Sequence, residues 1–360
     1  MMRLPPFTYL APQSVDEAVV MMAGHGTDAM LVAGGTDLYP NMKRRQFEPK
    51  VLVGLRGLRE LAEVRGSAGA GLAIGSGTTL ARLSEHPEVT AHFSALATAA
   101  GLVSTPQLRN MGTIGGNVCV DTRCNYYNQS YSWRRAIGFC MKKGGEPQAG
   151  REIKAGEPQA GREVKDGDIC LVAPGSPRCW AVSSSDTAPV LWSLGAQVRL
   201  IGPAGERVIP IERLYRDDGI DYLAKSHDEI LTEILLPPAD GVRSAYLKLR
   251  RRGAFDFPIL GVAVALRAEG GIVKTARIVL GAVASEPREA VDAAAMLAGQ
   301  RLTPELIETV ADRAAKLAKP LDNADLTHPY RKKMARVFVV RALRRLAGLP
   351  ETLRTPEGVG

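Results

Sequence analysis

The sequence predicts an α+β protein of two or three domains. Three observations lead to this prediction: a βαβ pattern near the amino terminus, two apolar runs joined by Glu269-Gly270-Gly271, and three amphipathic helical patterns near the carboxyl terminus. The chain has 360 residues, of which 45% are apolar and 23% charged. It is therefore long enough to bury a substantial core.

Residues 1–63 are predicted to form a βαβ subdomain. Ser14 and Glu17 form a capping box, which predicts a helix through Met22. Two short apolar runs, 29–32 and 51–55, are predicted strands. The first of these strands ends in a glycine-rich turn, Ala33-Gly34-Gly35-Thr36-Asp37.

Residues 64–237 are predicted to form a second subdomain and residues 238–350 an α+β domain, with 351–360 as a tail. In the second subdomain we expect a strand at 72–74 and helices at 80–84 and 95–101. In the third region the predicted strands are 246–249, 261–268 and 275–283, the last two forming a hairpin, and the predicted helices are 288–298, 304–317 and 330–346.

Composition argues against a membrane protein and against nucleic-acid binding. No apolar run approaches the roughly 18 residues of a membrane span, and the first residues lack the apolar core of a signal peptide, so we expect a cytoplasmic protein. The net charge is +8, but the basic groups are dispersed along the chain without aromatic interleaving. They suit solvated faces or a subunit interface better.

All five cysteines fall between residues 119 and 179, about one sixth of the chain. Four of them, Cys124, Cys140, Cys170 and Cys179, have the spacing C-x15-C-x29-C-x8-C, which lacks the C-x2-C pair common in structural zinc sites. Cubane ligands can come from separate loops. The spacing favours an iron–sulfur cluster and leaves zinc, or no metal, as alternatives. Cys119 is expected to be a buried apolar residue.

Aromatic residues flank these four cysteines. We expect them to shield a cluster from water. They are Tyr126, Tyr127, Tyr131, Trp133, Phe139 and Trp180.

A tandem repeat of eleven residues lies between Cys140 and Cys170. Residues 145–155 read GEPQAGREIKA and residues 156–166 read GEPQAGREVKD. The segment is polar and has no apolar periodicity, which predicts a solvated loop insertion without a binding role.

Three polar, glycine- or serine-rich stretches are candidate cofactor contacts. They are the turn 33–37, the stretch 109–117 (RNMGTIGGN) and the stretch 183–189 (SSSDTAP). Backbone N–H groups in glycine turns can approach phosphate closely, and three such patches could hold a pyrophosphate, its ribose and a flavin. No histidine pair or carboxylate pair has the spacing of a catalytic site, so no catalytic residue is predicted. We expect His328-Pro329-Tyr330-Arg331 to be structural packing at a helix start.

These motifs resemble those of a known family. AGGTDLYPNMK, RNMGTIGGN and SSSDTAP, followed by YLKLRRRGAFDF and DLTHPYRKKM, are similar to the FAD-binding medium subunits of the xanthine dehydrogenase and carbon monoxide dehydrogenase family of molybdenum hydroxylases. The resemblance implies a PCMH-type two-subdomain FAD fold followed by the family's C-terminal α+β domain. It also implies FAD contacts at Val32, Ala33, Gly34, Gly35, Thr36, Asp37, Thr113, Gly116, Asn117, Asp186 and Lys248.

Residues 118–182 depart from the usual family pattern. They form an insertion that contains every cysteine, and this insertion resembles that of the β subunits of 4-hydroxybenzoyl-CoA reductases. That resemblance implies a [4Fe–4S] cluster on Cys124, Cys140, Cys170 and Cys179. The eleven-residue repeat is a departure from that subunit as well.

The resemblance implies an electron-transfer subunit. A ferredoxin-like donor would reduce the [4Fe–4S] cluster, then FAD, then two [2Fe–2S] clusters of a small subunit and a molybdenum cofactor of a large subunit, in a dimer of heterotrimers. The reaction would convert 4-hydroxybenzoyl-CoA to benzoyl-CoA. Two alternatives remain open: an aerobic hydroxylase medium subunit whose loop binds a structural metal, and a non-catalytic binding module stapled by zinc.

Overall fold

The computed structural model of the chain describes residues 3–143 and 167–350. The repeated segment 145–166 and the tail 351–360 lie outside the described residues. The solvated loop is predicted for the repeated segment, so it also lies outside them. No helix among the described residues is both long enough and apolar enough to cross a membrane.

The amino-terminal region forms a small parallel sheet. Helix α1 follows Ser14, whose Oγ accepts a hydrogen bond from the Glu17 amide at 3.1 Å, as the capping pattern predicts. The order of strands across the sheet is β1-β3-β2. The apolar side of α1 packs on this sheet. The elements are β1 (Thr8–Leu10), α1 (Val15–His25), β2 (Ala29–Val32), α2 (Leu38–Lys43) and β3 (Val51–Gly54).

The central region is built on a five-stranded antiparallel sheet of order β4-β5-β8-β6-β7, with helices over it. In β6, Val198 and Leu200 are buried and alternate with more exposed residues, the pattern of a sheet with one covered face. The elements are β4 (Val64–Ser67), β5 (Gly71–Gly75), α3 (Leu80–Glu85), α4 (Pro87–His92), α5 (Ser94–Leu102), α6 (Pro106–Arg109), α7 (Ile114–Val118), α8 (Tyr131–Ala136), α9 (Thr187–Ser193), β6 (Gln197–Gly202), β7 (Gly205–Pro210) and β8 (Ile230–Leu236).

The carboxyl-terminal region is a four-stranded antiparallel sheet of order β12-β11-β10-β9, covered by three helices. The predicted hairpin is present, and its turn residues Gly270 and Gly271 have φ values of 57° and 81°. The elements are β9 (Val242–Leu249), β10 (Leu260–Glu269), β11 (Ile272–Gly281), β12 (Arg288–Glu289), α10 (Val291–Ala295), α11 (Pro304–Ala314) and α12 (His328–Ala347). A 3₁₀ turn, Ala315–Leu317, extends α11.

The helix predicted at 288–298 is wrong at its start. Arg288 and Glu289 instead form β12 and pair with β11. The Glu289 carboxylate accepts hydrogen bonds from Arg277 and from the Trp192 indole, at 2.6 to 2.8 Å. These tertiary contacts outweigh the local helical pattern, and only Val291–Ala295 is helical.

Buried helix α9 joins the central region to the carboxyl-terminal sheet. Most of its residues are buried, and it packs on β10 and β11. Gly281 lies against Pro189, and a Cβ at position 281 would come 3.1 Å from the proline ring. The stretch SSSDTAP, which leads into α9, is therefore held between the central region and the carboxyl-terminal sheet.

Candidate functional site

A cavity of about 630 Å³ lies between the amino-terminal and central regions. This volume falls in the roughly 300–1,000 Å³ range of small-molecule sites. Nine of the predicted cofactor-binding residues line it, namely Val32, Ala33, Gly34, Gly35, Thr36, Asp37, Thr113, Gly116 and Asn117. The structure thus brings the first two glycine turns together at one site.

The two glycine turns touch each other directly. Gly34 lies against the carbonyl of Met111 and the Cα of Gly112, so that any Cβ at position 34 would collide with main-chain atoms. The next residue, Gly35, has a φ of 68°, which favours glycine. Glycine at position 34 is therefore needed for the close approach of the two turns.

The second turn is held by its own hydrogen bonds. The Thr113 hydroxyl caps α7 by accepting a hydrogen bond from the Gly116 amide at 3.1 Å. The Gly115 amide donates to the Ser76 carbonyl at 2.8 Å, and a Cβ at position 115 would come 2.6 Å from the Cβ of Ser76. The turn is therefore anchored to the central sheet before any ligand binds.

Asn117 connects the second turn to the stretch SSSDTAP. Its Oδ1 accepts hydrogen bonds from Ser185 Oγ at 2.9 Å, Thr187 Oγ1 at 2.7 Å and the Thr187 amide at 3.2 Å. All three residues are buried. One side-chain oxygen thus fixes the start of α9 relative to the cavity.

Replacing Asn117 by alanine should damage both folding and the cavity. N117A leaves buried donors of Ser185 and Thr187 without their acceptor, at a cost of about 1–3 kcal/mol for each unsatisfied group. We expect the free energy of unfolding, measured by urea titration, to fall by roughly 2–4 kcal/mol. The matched control is N110A, because Asn110 is exposed on the same stretch. Equal unfolding midpoints for N117A and N110A would contradict this role.

Asp186 and Lys248 lie next to the cavity region but do not line it. They form an ion pair with each other: Lys248 Nζ lies 2.8 Å from Asp186 Oδ2, and Tyr246 Oη donates to Asp186 Oδ1 at 2.8 Å. Lys248 also donates to the Leu102 carbonyl at 3.1 Å. Burial raises the pKa of Asp186 and lowers the pKa of Lys248, while the ion pair opposes both shifts. Their contact with FAD stays a prediction.

The cavity also has lining residues that the sequence did not indicate. Asp121, Tyr222 and Phe257 contribute to its wall, together with Cys119. Cys119 is partly buried rather than part of the core, and burial raises its pKa. Tyr222 and Phe257 are more than a hundred residues from the glycine turns, and no local pattern marks them.

The four remaining cysteines come together in a buried site beside the cavity. Cys124, Cys140 and Cys179 belong to one cluster with Tyr127 and Ala181. The thiols of Cys170 and Cys179 lie close enough for each to shift the pKa of the other. The Met141 amide donates to the Ile169 carbonyl at 2.9 Å, which sets Cys140 and Cys170 on adjacent strands of backbone.

The two ends of the cysteine-containing insertion are closed by a backbone bridge. The Arg123 amide donates to the Val182 carbonyl at 2.8 Å, and the Val182 amide returns a bond to the Arg123 carbonyl at 2.7 Å. The Gly219 amide also donates to the Cys179 carbonyl at 2.9 Å. We call the paired ends at Arg123 and Val182 the stem of the insertion. The stem ties the insertion to the cavity wall.

Backbone amides surround the cysteine sulfurs. The hydrogen bond from Cys179, followed by bonds from the amides of Trp180, Ala173 and Val172, lowers the pKa of Cys170 to about 5. The same thiol pair and burial raise the pKa of Cys179, and burial raises that of Cys124 to about 11. The amide of Ala181 donates to Cys179 Sγ at 3.4 Å. Such N–H···S bonds suit thiolate ligands.

No group of three or more His, Cys, Asp or Glu side chains in ranges 3–143 and 167–350 has an arrangement that could hold a metal ion. Tyr127 is buried beside the cysteines, whereas Tyr131 and Trp133 are 43% and 40% exposed. The shielding of a cluster by aromatic residues stays a prediction.

Helix α12 begins at His328, as expected for the motif HPYR. Arg331 is buried and donates to the Leu321 carbonyl at 2.7 Å. The adjoining Asn323 contacts the insertion, because its carbonyl accepts from the Asn125 amide at 3.0 Å and its side-chain amide donates to the Trp180 carbonyl at 2.6 Å. Arg331 Nη2 donates to Asn323 Oδ1 at 3.5 Å, so the motif has a packing role and reaches the insertion through Asn323.

Comparisons with known proteins agree with this arrangement. Residues 5–239 match the family model described as the FAD binding domain in molybdopterin dehydrogenase, and residues 244–346 match the CO dehydrogenase flavoprotein C-terminal domain. The chain is 29% identical over 340 residues to the carbon monoxide dehydrogenase medium chain of Hydrogenophaga pseudoflava, covering 94% of this chain and 96% of the relative. It is 23% identical to the glyceraldehyde dehydrogenase medium chain of Sulfolobus acidocaldarius, covering 95% and 99%.

A solved structure of carbon monoxide dehydrogenase from Hydrogenophaga pseudoflava superposes with a TM-score of 0.73 at 30% identity, covering 95% of this chain and 98% of that one. A second, of reconstituted CO dehydrogenase from Oligotropha carboxidovorans, gives a TM-score of 0.73 at 27% identity, with coverages of 97% and 100%. The predicted fold class, an FAD-binding fold followed by a C-terminal α+β domain, is confirmed.

Proposed function

This chain belongs to the family of FAD-binding medium subunits of molybdenum hydroxylases, and from that premise we propose that it also carries a [4Fe–4S] cluster and serves a 4-hydroxybenzoyl-CoA reductase. It is an FAD-binding subunit of an oxidoreductase. The relatives named above are carbon monoxide and glyceraldehyde dehydrogenases, so they do not themselves support a 4-hydroxybenzoyl-CoA reductase. The assignment to that enzyme depends on the insertion at 118–182.

The observation that carries the proposal is the convergence of four buried cysteines beside the FAD cavity. Each of these cysteines is less than 10% exposed, and all four lie on the loop that the Arg123–Val182 bridge closes, namely Cys124, Cys140, Cys170 and Cys179. The donor set fits a cubane, because each thiolate of a cubane binds a different iron and need not share one metal ion with the others. Zinc requires four ligands around one ion, and it is the alternative that metal and sulfide analysis distinguishes.

The two proposed cofactors would lie close together. Asp121 lines the cavity, and Cys124 is three residues further along the chain. Three residues span at most about 11 Å, so the cysteine site adjoins the cavity wall. When bound, FAD exchanges one or two electrons and the cluster one, which suits stepwise electron transfer through this chain.

The chain's own residues position and insulate these groups. The glycine turns and Asn117 form the cavity, Tyr127 and Ala181 exclude water from the sulfurs, and the stem holds both in one unit. By similarity to medium subunits, we propose a large molybdenum-cofactor subunit and a small [2Fe–2S] subunit as partners, in a dimer of heterotrimers, and a ferredoxin-like donor. Two electrons and two protons would remove the phenolic hydroxyl as water, leaving benzoyl-CoA.

The test begins with the chain purified without oxygen. Iron and acid-labile sulfide analysis, with EPR of the dithionite-reduced protein, should reveal a cubane; stoichiometric zinc without labile sulfide would overturn the cluster and favour an aerobic hydroxylase subunit. Co-purification with the two partner subunits should then support reduction of 4-hydroxybenzoyl-CoA by reduced ferredoxin. A colourless protein that does not take up added FAD would indicate a zinc-stapled binding module instead.

A further inference from the structure

A buried lysine joins the insertion to the wall of the FAD cavity. Lys142 lies two residues after Cys140, and its side chain is 5% exposed. Its ammonium group donates to Asp121 Oδ1 at 2.7 Å, Thr122 Oγ1 at 2.6 Å and the Gly219 carbonyl at 2.5 Å. Three acceptors match the three N–H donors of an ammonium group, so Lys142 is fully satisfied in this position.

One acceptor of Lys142 belongs to the cavity wall. Asp121 lines the cavity, and so does Tyr222, whose ring centroid lies 5.5 Å from the Lys142 ammonium. On its other side the ammonium lies 4.9 Å from the ring of Tyr127, which packs among the cysteines. One cation therefore contacts both sites at once.

A series of charged side chains extends from Lys142 along the wall of the cavity. Arg123 NH1 lies 3.9 Å from Asp121 Oδ2, and Arg123 forms an ion pair with Asp37 in the first glycine turn. The guanidinium of Arg123 also lies 4.5 Å from the ring of Phe257, another lining residue. The buried chain Lys142–Asp121–Arg123–Asp37 thus runs from the cysteine loop to the proposed phosphate-binding turn.

Three buried side-chain atoms of this chain have no hydrogen-bond partner among the described residues: Asp121 Oδ2, Arg123 Nε and Arg123 Nη1. Asp121 Oδ2 is buried and accepts no hydrogen bond from the described residues, although Asp121 lines the cavity. A buried carboxylate oxygen without a donor is costly. A hydroxyl or N–H group of a bound cofactor would supply the missing donor.

We propose that Asp121 contacts the bound flavin cofactor and that Lys142 is the positioning residue that couples it to the cysteine loop. The proposal rests on the proposed function for the identity of the two cofactors. Lys142 orients and neutralises the Asp121 carboxylate, so an ordered cysteine loop favours FAD binding. Because such coupling is reciprocal, bound FAD stabilises the loop in turn.

The test compares K142M with the neighbouring variant K143M. Lys143 lies on the same loop and is only half buried, and it is not among the residues that line the cavity. We expect K142M to weaken FAD binding roughly tenfold, within the roughly 5- to 150-fold range of coupled sites, as measured by quenching of flavin fluorescence. The midpoint potential of bound FAD should also fall in K142M, because the Asp121 carboxylate loses its nearer counter-charge and keeps only Arg123 at 3.9 Å. K143M should change neither quantity.

A double-mutant cycle with D121N separates positioning from general damage. If Lys142 acts through Asp121, FAD affinity in the double variant will match that of D121N alone; additive losses would overturn the proposal. Equal FAD affinity for K142M and K143M would overturn it as well, and circular dichroism checks that each variant is folded. Iron and sulfide content are measured on the same samples: a wild-type chain without a cluster refutes the proposed cluster, yet the comparison of K142M with K143M still decides the role of Lys142.

Discussion

Alanine in place of any one of Cys124, Cys140, Cys170 or Cys179 should reduce the iron and labile sulfide of the anaerobically purified chain from about four of each to near zero. Each thiolate would hold one iron, and alanine supplies no ligand in its place. The visible absorbance and the EPR signal of the reduced cluster should disappear in parallel. We expect the FAD-binding fold to persist, since the cavity turns are held by their own hydrogen bonds.

The matched control for this series is C119A. Cys119 lines the FAD cavity and is not part of the cysteine cluster, so its replacement should leave iron and sulfide unchanged. Loss of iron in C119A as complete as in C170A would contradict the assignment of the four ligands. Full retention of iron in C170A or C179A would contradict it too.

Much of the fold could be predicted because its signals are local. The capping box at Ser14 and the Gly270-Gly271 turn each specify a backbone conformation within a few residues, and α1 and the β10–β11 hairpin form where expected. Strand β1 escaped prediction because it has three residues and gains its stability from pairing with β3. The helix predicted from Arg288 is wrong at its start for the same reason: Arg288 forms an ion pair with Asp217, which is distant along the chain, and pairs with strand β11.

The functional site likewise contains residues that local sequence patterns predict and contacts that they do not. Glycine turns are recognisable because only glycine allows such close approach of main chains, and both predicted turns line one cavity. Asp186 and Lys248 could be located as motif residues, but their ion pair joins positions 62 residues apart. Likewise the contact of Lys142 with Asp121 depends on how the insertion folds back, which the spacing of residues does not specify.

Alanine at Gly34 should abolish FAD binding. A Cβ at this position would overlap the Met111 carbonyl and come within 2.9 Å of the Gly112 Cα, and these main-chain atoms cannot rotate away as a side chain could. Relief requires the two glycine turns to separate, which displaces the wall that Thr113 and Gly116 help to form. We expect at least a hundredfold loss of FAD affinity in G34A, from about 3 kcal/mol of strain, a typical cost of overpacking.

The control for G34A is G24A in helix α1. No atom lies within 4 Å of a Cβ at position 24, so alanine fits there and should raise stability by about 0.5–1 kcal/mol through its helix propensity. G34A should therefore purify with little flavin, while G24A keeps its full complement. Most of the iron of G34A should remain, because the four cysteines lie on the insertion and not on the displaced turns, although loss of FAD removes its stabilisation of the loop. Wild-type FAD affinity in G34A would show that the turns can part without harm, and would remove close packing as the reason for glycine at this position.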